Sequence, residues 1–283
     1  MRKIMAGLVL LLVSMQGAPV CGQSVKYPPL GEYMMARDAE IALAKSGAPD
    51  NISGHATTSP SQATETTIEQ MPAKLETQFA LSALPRAMRD KATVYLLDPT
   101  KGYQLSQQGT SGVTCLVERT AWEQADFRND IYVPLCYDAE GSKSFLKVIM
   151  DAATLRIQGV SPVALKAEIE NRYKNKIYEV PGKAGLSYMI APVMRTWMLP
   201  DWKVHTMPMP HLMFYAPKIT NEDIGAVPTS SPLYPFAFKE GIAEQSYIIQ
   251  LIGEAEKAKI MADEKNLLAA LCTYRASLCL PNK

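Results

Sequence analysis

Beyond its N-terminus this chain has no apolar run approaching the roughly 20 residues that a bilayer span needs, and no tract of like charge. Its 29 Lys and Arg against 28 Asp and Glu leave a net charge of +1 over 283 residues. A chain so balanced, with no basic patch in its sequence, speaks against nucleic acid as a partner. Signatures of familiar reactions are missing as well. There is no H-E-x-x-H, no Walker loop, no dinucleotide fingerprint and no C-x-x-C. "GTSGV" departs from G-x-S-x-G because Val113 stands where the last glycine belongs. These absences weigh against common hydrolases, ATPases and thiol oxidoreductases. Histidine is scarce, with three in all (His55, His205 and His211), so an imidazole-dependent mechanism has few places to reside.

The N-terminus sets the expected compartment. "MRKIMAGLVLLLVSMQGAPVCGQ" has a basic start at Arg2 and Lys3, an apolar run from Ile4 to about Met15, and then small residues. That is the layout of a secretory signal peptide, here expected over residues 1–22 with cleavage before Gln23. A lipoprotein anchored through Cys21 is the alternative, but Val20 is bulkier than that processing usually tolerates. The protein is therefore expected to be periplasmic or secreted, with no transmembrane segment after cleavage. Loss of Cys21 would leave Cys115, Cys136, Cys272 and Cys279, an even count that suggests two disulfides in an exported chain.

Residues 23–76 are expected to form a short helix at "GEYMMARDAEIALAKS" (31–46) and a linker rich in Ser, Thr, Gly and Pro. The linker is too poor in large apolar groups to offset its ordering entropy. A single α+β domain over 77–283 follows, with a mainly antiparallel sheet, flanking helices and a long C-terminal helix. Short turns join "ATVYLL", "YQLSQQ", "VTCLVER" and "IYVPLCY", which predicts an antiparallel meander. Opposed Cys115 and Cys136 in its last two strands would have Cα atoms within disulfide range. Cys272 and Cys279 lie seven positions apart, about 10.5 Å along an unbroken helix, so either the helix breaks near Arg275 to Ser277 or these thiols stay free, and export favours the break. "SPVALKAEIENRYKNK" predicts a helix capped by Ser161, with Pro162 in its first turn and Leu165, Ile169 and Tyr173 on one face.

Several blocks together resemble an uncharacterised family of exported bacterial proteins: "ATVYLLDPTKGY", "CLVERT", "PLCYDAEGSK", "SYMIAPVMR", "MPHLMFYAP", "NEDIGA" and "YIIQLIGEAEKAKI". The resemblance runs from about Ala80 to the C-terminus. It implies a bacterial protein of the periplasm or exterior, and it brings no activity, ligand or site residue with it.

Candidate chemistry concentrates in "HTMPMPHLMFYAP" (205–217), where His205, Met207, Met209, His211 and Met213 alternate. Thioethers suit Cu(I), and imidazole suits copper or zinc, so His205, Met207, Met209 and His211 form a candidate metal set. Pro208 and Pro210 interrupt the alternation, and methionine is also an ordinary filler of core gaps. Packing of Met209, His211 and Met213 beneath a sheet is the simpler expectation. A hydrolase with His211 as base is a third reading. Ser144 and Lys147 match S-x-x-K, but the spacing to later motifs does not fit serine penicillin-binding enzymes. Arg119 and Trp122 suggest either an exposed ligand-contacting edge or a strand end with a solvated charge. Taken together, the sequence favours an exported, non-enzymatic binding or interaction module whose partner is a small molecule, a metal ion or a protein. Trp197, Trp202, His205, His211 and Tyr215 are its expected ligand surface.

Overall fold

The computed structural model describes residues 66–198, 201, 203–227, 231–239 and 241–281. The expected signal peptide, the 31–46 helix, His55 and most of the linker lie outside the described residues. Ten strands and seven α-helices are described. In chain order they begin with α1 (Ala73–Ser82), α2 (Arg86–Arg89), β1 (Thr93–Asp98), β2 (Gly102–Gln107), β3 (Thr114–Glu118) and β4 (Val133–Tyr137). Then come α3 (Ala139–Lys143), α4 (Phe145–Ile157), α5 (Pro162–Lys174), β5 (Leu186–Met189), β6 (Met194–Met198), β7 (Lys203–Met207) and β8 (His211–Tyr215). β9 (Phe236–Lys239), β10 (Ser246–Leu251), α6 (Glu254–Asp263) and α7 (Lys265–Tyr274) complete the set. No described helix is long and apolar enough to cross a membrane.

Eight strands form one sheet in the order β2-β1-β3-β4-β5-β8-β10-β9, and β6 pairs with β7 in a separate ribbon. The mainly antiparallel α+β class is present, but the meander is not: β1 and β3 run parallel. After the β1–β2 hairpin the chain crosses back over the start of β1. There the amides of Thr110 and Ser111 both donate to the Lys91 carbonyl. Gly109 is pressed against the backbone of Lys91 to Thr93, where a Cβ would clash. "GTSG" is therefore a backbone-on-backbone crossing, and β2 is left at the sheet edge.

Side chains alternate across the pleat, and both faces of the sheet centre are covered. On one face Val94, Cys115, Val117 and Cys136 meet Phe79, Ala80, Ala83 and Leu84 around α1, with Leu267 and Leu271 of α7. On the other, Leu116, Leu135, Tyr137, Met213, Tyr215, Tyr247 and Ile249 meet Phe145, Leu146 and Ile149. Helix α5 packs on the outer side of α4 through Leu165, Ile169 and Tyr173, and the Ser161 hydroxyl caps it by accepting from the Ala164 amide.

Both cysteine pairs are bonded. Cys115 and Cys136 oppose each other across β3 and β4 with Cα atoms 4.0 Å apart. The Cys272–Cys279 bridge forms because the chain leaves the helix at Arg275 (φ −150°, ψ 121°) and turns back through a short 3₁₀ segment. The long C-terminal helix is instead two short ones. They meet at Glu264 (φ −103°, ψ 16°), whose carboxylate takes ion pairs from Arg86 (3.3 Å) and Arg89 (2.9 Å). A tertiary clamp from the start of the domain thus overrides helix periodicity.

Arg119 and Trp122 are not on an exposed edge: each is only 1% exposed. The Arg119 guanidinium donates to the carbonyls of Ile131 (2.7 Å) and Asn129 (2.8 Å) and lies 3.9 Å from the Tyr132 ring centre. Nearby, the Glu76 carboxylate accepts from the Leu97 amide at 2.9 Å. Burial pushes its pKa up to about 7, against the opposing pull of the Leu97 bond and Arg119. A carboxyl whose folded pKa lies above its unfolded value favours the folded state below the unfolded pKa, and this contribution fades as pH rises. Between pH 4.5 and about 7 it should cost the fold roughly 3 kcal/mol. Glu76→Gln keeps an acceptor for Leu97 and should flatten that part of the stability–pH profile, as read by urea denaturation. An unchanged slope would show that Glu76 is already ionised in the fold.

Candidate functional site

The alternating His/Met segment is divided between two sheets. His205 and Met207 belong to β7, Met209 lies between Pro208 and Pro210, and His211 and Met213 begin β8. The prolines end the β7 ribbon and start a strand of the main sheet, so the five residues share no single face. The two histidines differ sharply. His205 is exposed, and its Nε2 meets the Asp201 carboxylate at 2.9 and 3.1 Å. His211 is 3% exposed, and its Nδ1 lies 2.8 Å from the Met209 carbonyl. Burial lowers its pKa, with the Met209 bond acting the other way. It is therefore a neutral imidazole, held by the backbone inside the core. A general base must lie within hydrogen-bond reach of its substrate, and at this burial the His211 ring is closed to an organic molecule.

Among the described residues, no three His, Cys, Asp or Glu side chains gather as a metal-binding group. The methionines do gather. Met189, Met194 and Met213 are buried in one cluster, with Met150, Met198, Met207 and Met209 packed against it. His211 belongs to the same side of the sheet, two positions from Met213 and paired with Met189 across β5.

The expected aromatic surface does not form as a unit. Tyr215 is in the core with His211, Trp197 is half-buried with the Arg128 guanidinium 5.6 Å from its ring centre, and Trp202 lies outside the described residues. Of that set, His205 is exposed. The Tyr215 hydroxyl donates to the Leu186 carbonyl (2.8 Å) and Asp138 (3.0 Å). Burial and the neighbouring Asp138 carboxylate raise its pKa above the usual phenol range, so it stays protonated. Asp138 also accepts from the amides of Glu140, Gly141 and Leu186, which ties the start of α3 to β5. Tyr215 is thus a knot in the core. Ser144 and Lys147 do not form a catalytic pair: Ser144 donates to the Glu140 carbonyl and Lys147 pairs with Asp151. Lys147 and Asp151 line a shallow groove of about 490 Å³ with Ser142, Lys143, Met150, Ile177 and Glu179, and neither histidine is among its lining residues.

The surface that sequence reasoning missed is the opposite face of β8. Phe214 is 42% exposed although its strand is internal, paired on one side to β5 and on the other to β10. Its cross-strand neighbours are Leu186 and Ile248, and Leu212 lies two positions away on the same face; all three are half-buried. Gln250, paired with Leu212, donates to the Pro232 carbonyl and brings the loop carrying exposed Leu233 and Tyr234 to the rim. An alternation of apolar residues on both sides of β8 would have signalled it: Leu212 and Phe214 continue the apolar run that Met213 and Tyr215 begin.

The Tyr215 knot leaves no room at Gly141, where a Cβ would overlap the tyrosine hydroxyl and ring. Gly141→Ala should destabilise the protein by about 1–3 kcal/mol through overpacking. Tyr215→Phe should cost about 1–2 kcal/mol through lost hydrogen bonds. Removing the hydroxyl relieves part of the clash, so the double variant should lose less than the sum in urea denaturation. Strict additivity would show that the two residues do not press on each other.

No protein-family model, no curated protein and no solved structure matches this chain.

Proposed function

We propose that this is an exported binding module, not an enzyme, and that its contact surface is the apolar face of β5, β8 and β10 that no described element covers, closed by a second copy of the chain. The observation that carries this reading is Phe214, an aromatic ring 42% exposed on an internal strand. An exposed ring at a sheet edge is common, whereas one flanked by Leu186, Leu212 and Ile248 in mid-sheet makes a contiguous apolar patch, which on a protein surface marks a contact site. The signal-like N-terminus and the two disulfides fit an oxidising compartment outside the cytoplasm.

A second copy is the occupant the surroundings favour. Addition of a strand beside β9 is hindered because the Asn221 side chain already holds both the amide (2.7 Å) and the carbonyl (3.2 Å) of Ala237. A partner at this end of the sheet therefore meets its face, not its edge. A two-fold axis brings the same patch of each copy together, and two sheets pack face to face about 10 Å apart. Without Arg2 and Lys3 the mature chain would carry 27 Lys and Arg (29 less two) against 28 Asp and Glu, a net charge of −1, so two copies approach with almost no electrostatic barrier.

Sedimentation equilibrium of the mature, oxidised protein should show a dimer. Phe214→Glu should weaken it by at least tenfold, about 1.4 kcal/mol, and the melt of the wild type, but not of the variant, should rise with protein concentration. A wild type that stays monomeric at the highest soluble concentration would overturn the second-copy assignment.

A further inference from the structure

The other side of β8 carries a different chemistry. The Met209 carbonyl can only accept a hydrogen bond, so the proton of His211 resides on Nδ1. In the neutral ring the lone pair is then on Nε2, on the far side of the ring from its own backbone. A bond from the second ring nitrogen to a backbone carbonyl is the arrangement that orients ligating histidines in metal sites. Met189 stands directly opposite His211 in the β5–β8 pair, a Cα separation of about 4.5–5.5 Å. Met213 follows on the same face of β8, about 7 Å along the strand. Both methionines are buried, at 7% and 5% exposure, in the cluster that also takes in Met194, Met198, Met207 and Met209.

We propose that His211 Nε2 and the thioethers of Met189 and Met213 form a soft-metal site that takes Cu(I). Ligand type and charge both select that ion. Thioether sulfur and neutral imidazole are ligands for Cu(I), while carboxylates and thiolates, which would favour other ions, are not among these three residues. A buried site of neutral ligands leaves the ion's charge uncompensated, and the cost of burying charge rises steeply with its magnitude. A univalent ion is therefore favoured over Cu(II) or Zn(II). The alternation of His and Met in the sequence reflects this site only in its second half: His205 pairs with Asp201 on the separate ribbon and takes no part.

The test is an anaerobic titration of the mature, disulfide-intact protein with Cu(I) in competition with a chromogenic chelator. X-ray absorption of the loaded protein reads the ligands. One equivalent should bind, with sulfur and nitrogen scatterers in the metal's shell. Met189→Leu/Met213→Leu keeps side-chain volume and should preserve the thermal melt while weakening Cu(I) binding by at least tenfold. His205→Ala should bind as the wild type does. A wild type that does not compete with the chelator overturns the site, as does a leucine variant with undiminished affinity or Zn(II) binding as tight as Cu(I). The dimer is read by sedimentation and the metal by competition, so each can fail without the other.

Discussion

Strands β3 and β4 are buried at every position, five residues each, on both faces of the sheet. An antiparallel pair commonly exposes one face to water and alternates apolar with polar residues. Here "TCLVE" and "VPLCY" leave no solvent face, so each side of the sheet needs its own covering layer. The Cys115–Cys136 bridge lies on the side of α1, where Cys136 Sγ sits 3.6 Å from the Ala80 carbonyl. Leu116, Leu135 and Tyr137 face α4 on the other side. Covering both sides is what turns a run of strands into a layered domain, and it also explains where the layers end. α1 has ten residues and is about 15 Å long. At roughly 4.8 Å per strand it reaches about three strands in its longest direction, and it packs on β1, β3 and β4. An eight-stranded sheet outruns it, and the apolar residues at Leu186, Leu212, Phe214 and Ile248 lie where it stops.

Much of the local structure was legible because its causes are local. Ser161 and Pro162 mark a helix start wherever they stand before an amphipathic run. Cys115 and Cys136 fall opposite each other because strand pairing fixes their register, and the break at Arg275 follows from the reach of a disulfide. The misses have distant causes. The parallel pairing of β1 with β3 depends on the crossing at Gly109, and the split of the C-terminal helix depends on arginines 175 and 178 residues away. β6, β7 and β9 are short, and "MRTWM", "KVHTM" and "FAFK" carry too few positions for a period to declare itself. In the site, the alternation of His and Met was legible, and so was core packing as the simpler expectation for His211. Which sheet each half would join was not, because Pro208 and Pro210 permit either a continued strand or a change of partner.

Charged residues illustrate the same limit. Arg119, Arg156 and Arg275 look like surface or ligand-binding groups in a sequence, yet they serve the irregular segment between β3 and β4. Arg119 holds the carbonyls of Asn129 and Ile131, Arg156 those of Arg119 and Arg128, and Arg275 the carbonyl and side chain of Asn129. A buried loop must satisfy its backbone acceptors somewhere, and guanidinium groups with several fixed donors do so at a distance. Burial beside Arg119 lowers the pKa of Arg156 to about 10, the electrostatic cost of crowding like charges to hold that loop. These donors are engaged with the chain itself, which is why the cluster is a clamp and not an anion site.

Strand β8 brings the two functional readings together and also keeps them apart. Its odd-numbered residues, His211, Met213 and Tyr215, enter the core, while Leu212 and Phe214 face outward from an internal strand. The pleat assigns successive side chains to opposite faces, so a change at Phe214 alters the outer patch without entering the methionine cluster. A change at Met213 alters the cluster without reaching solvent. Effects on non-touching sites combine additively unless the backbone between them moves. The backbone of β8 is pinned on both sides by β5 and β10, and the Tyr215 hydroxyl ties it to Leu186 and Asp138. A strand held this firmly can present a soft core on one face and a contact surface on the other as independent properties.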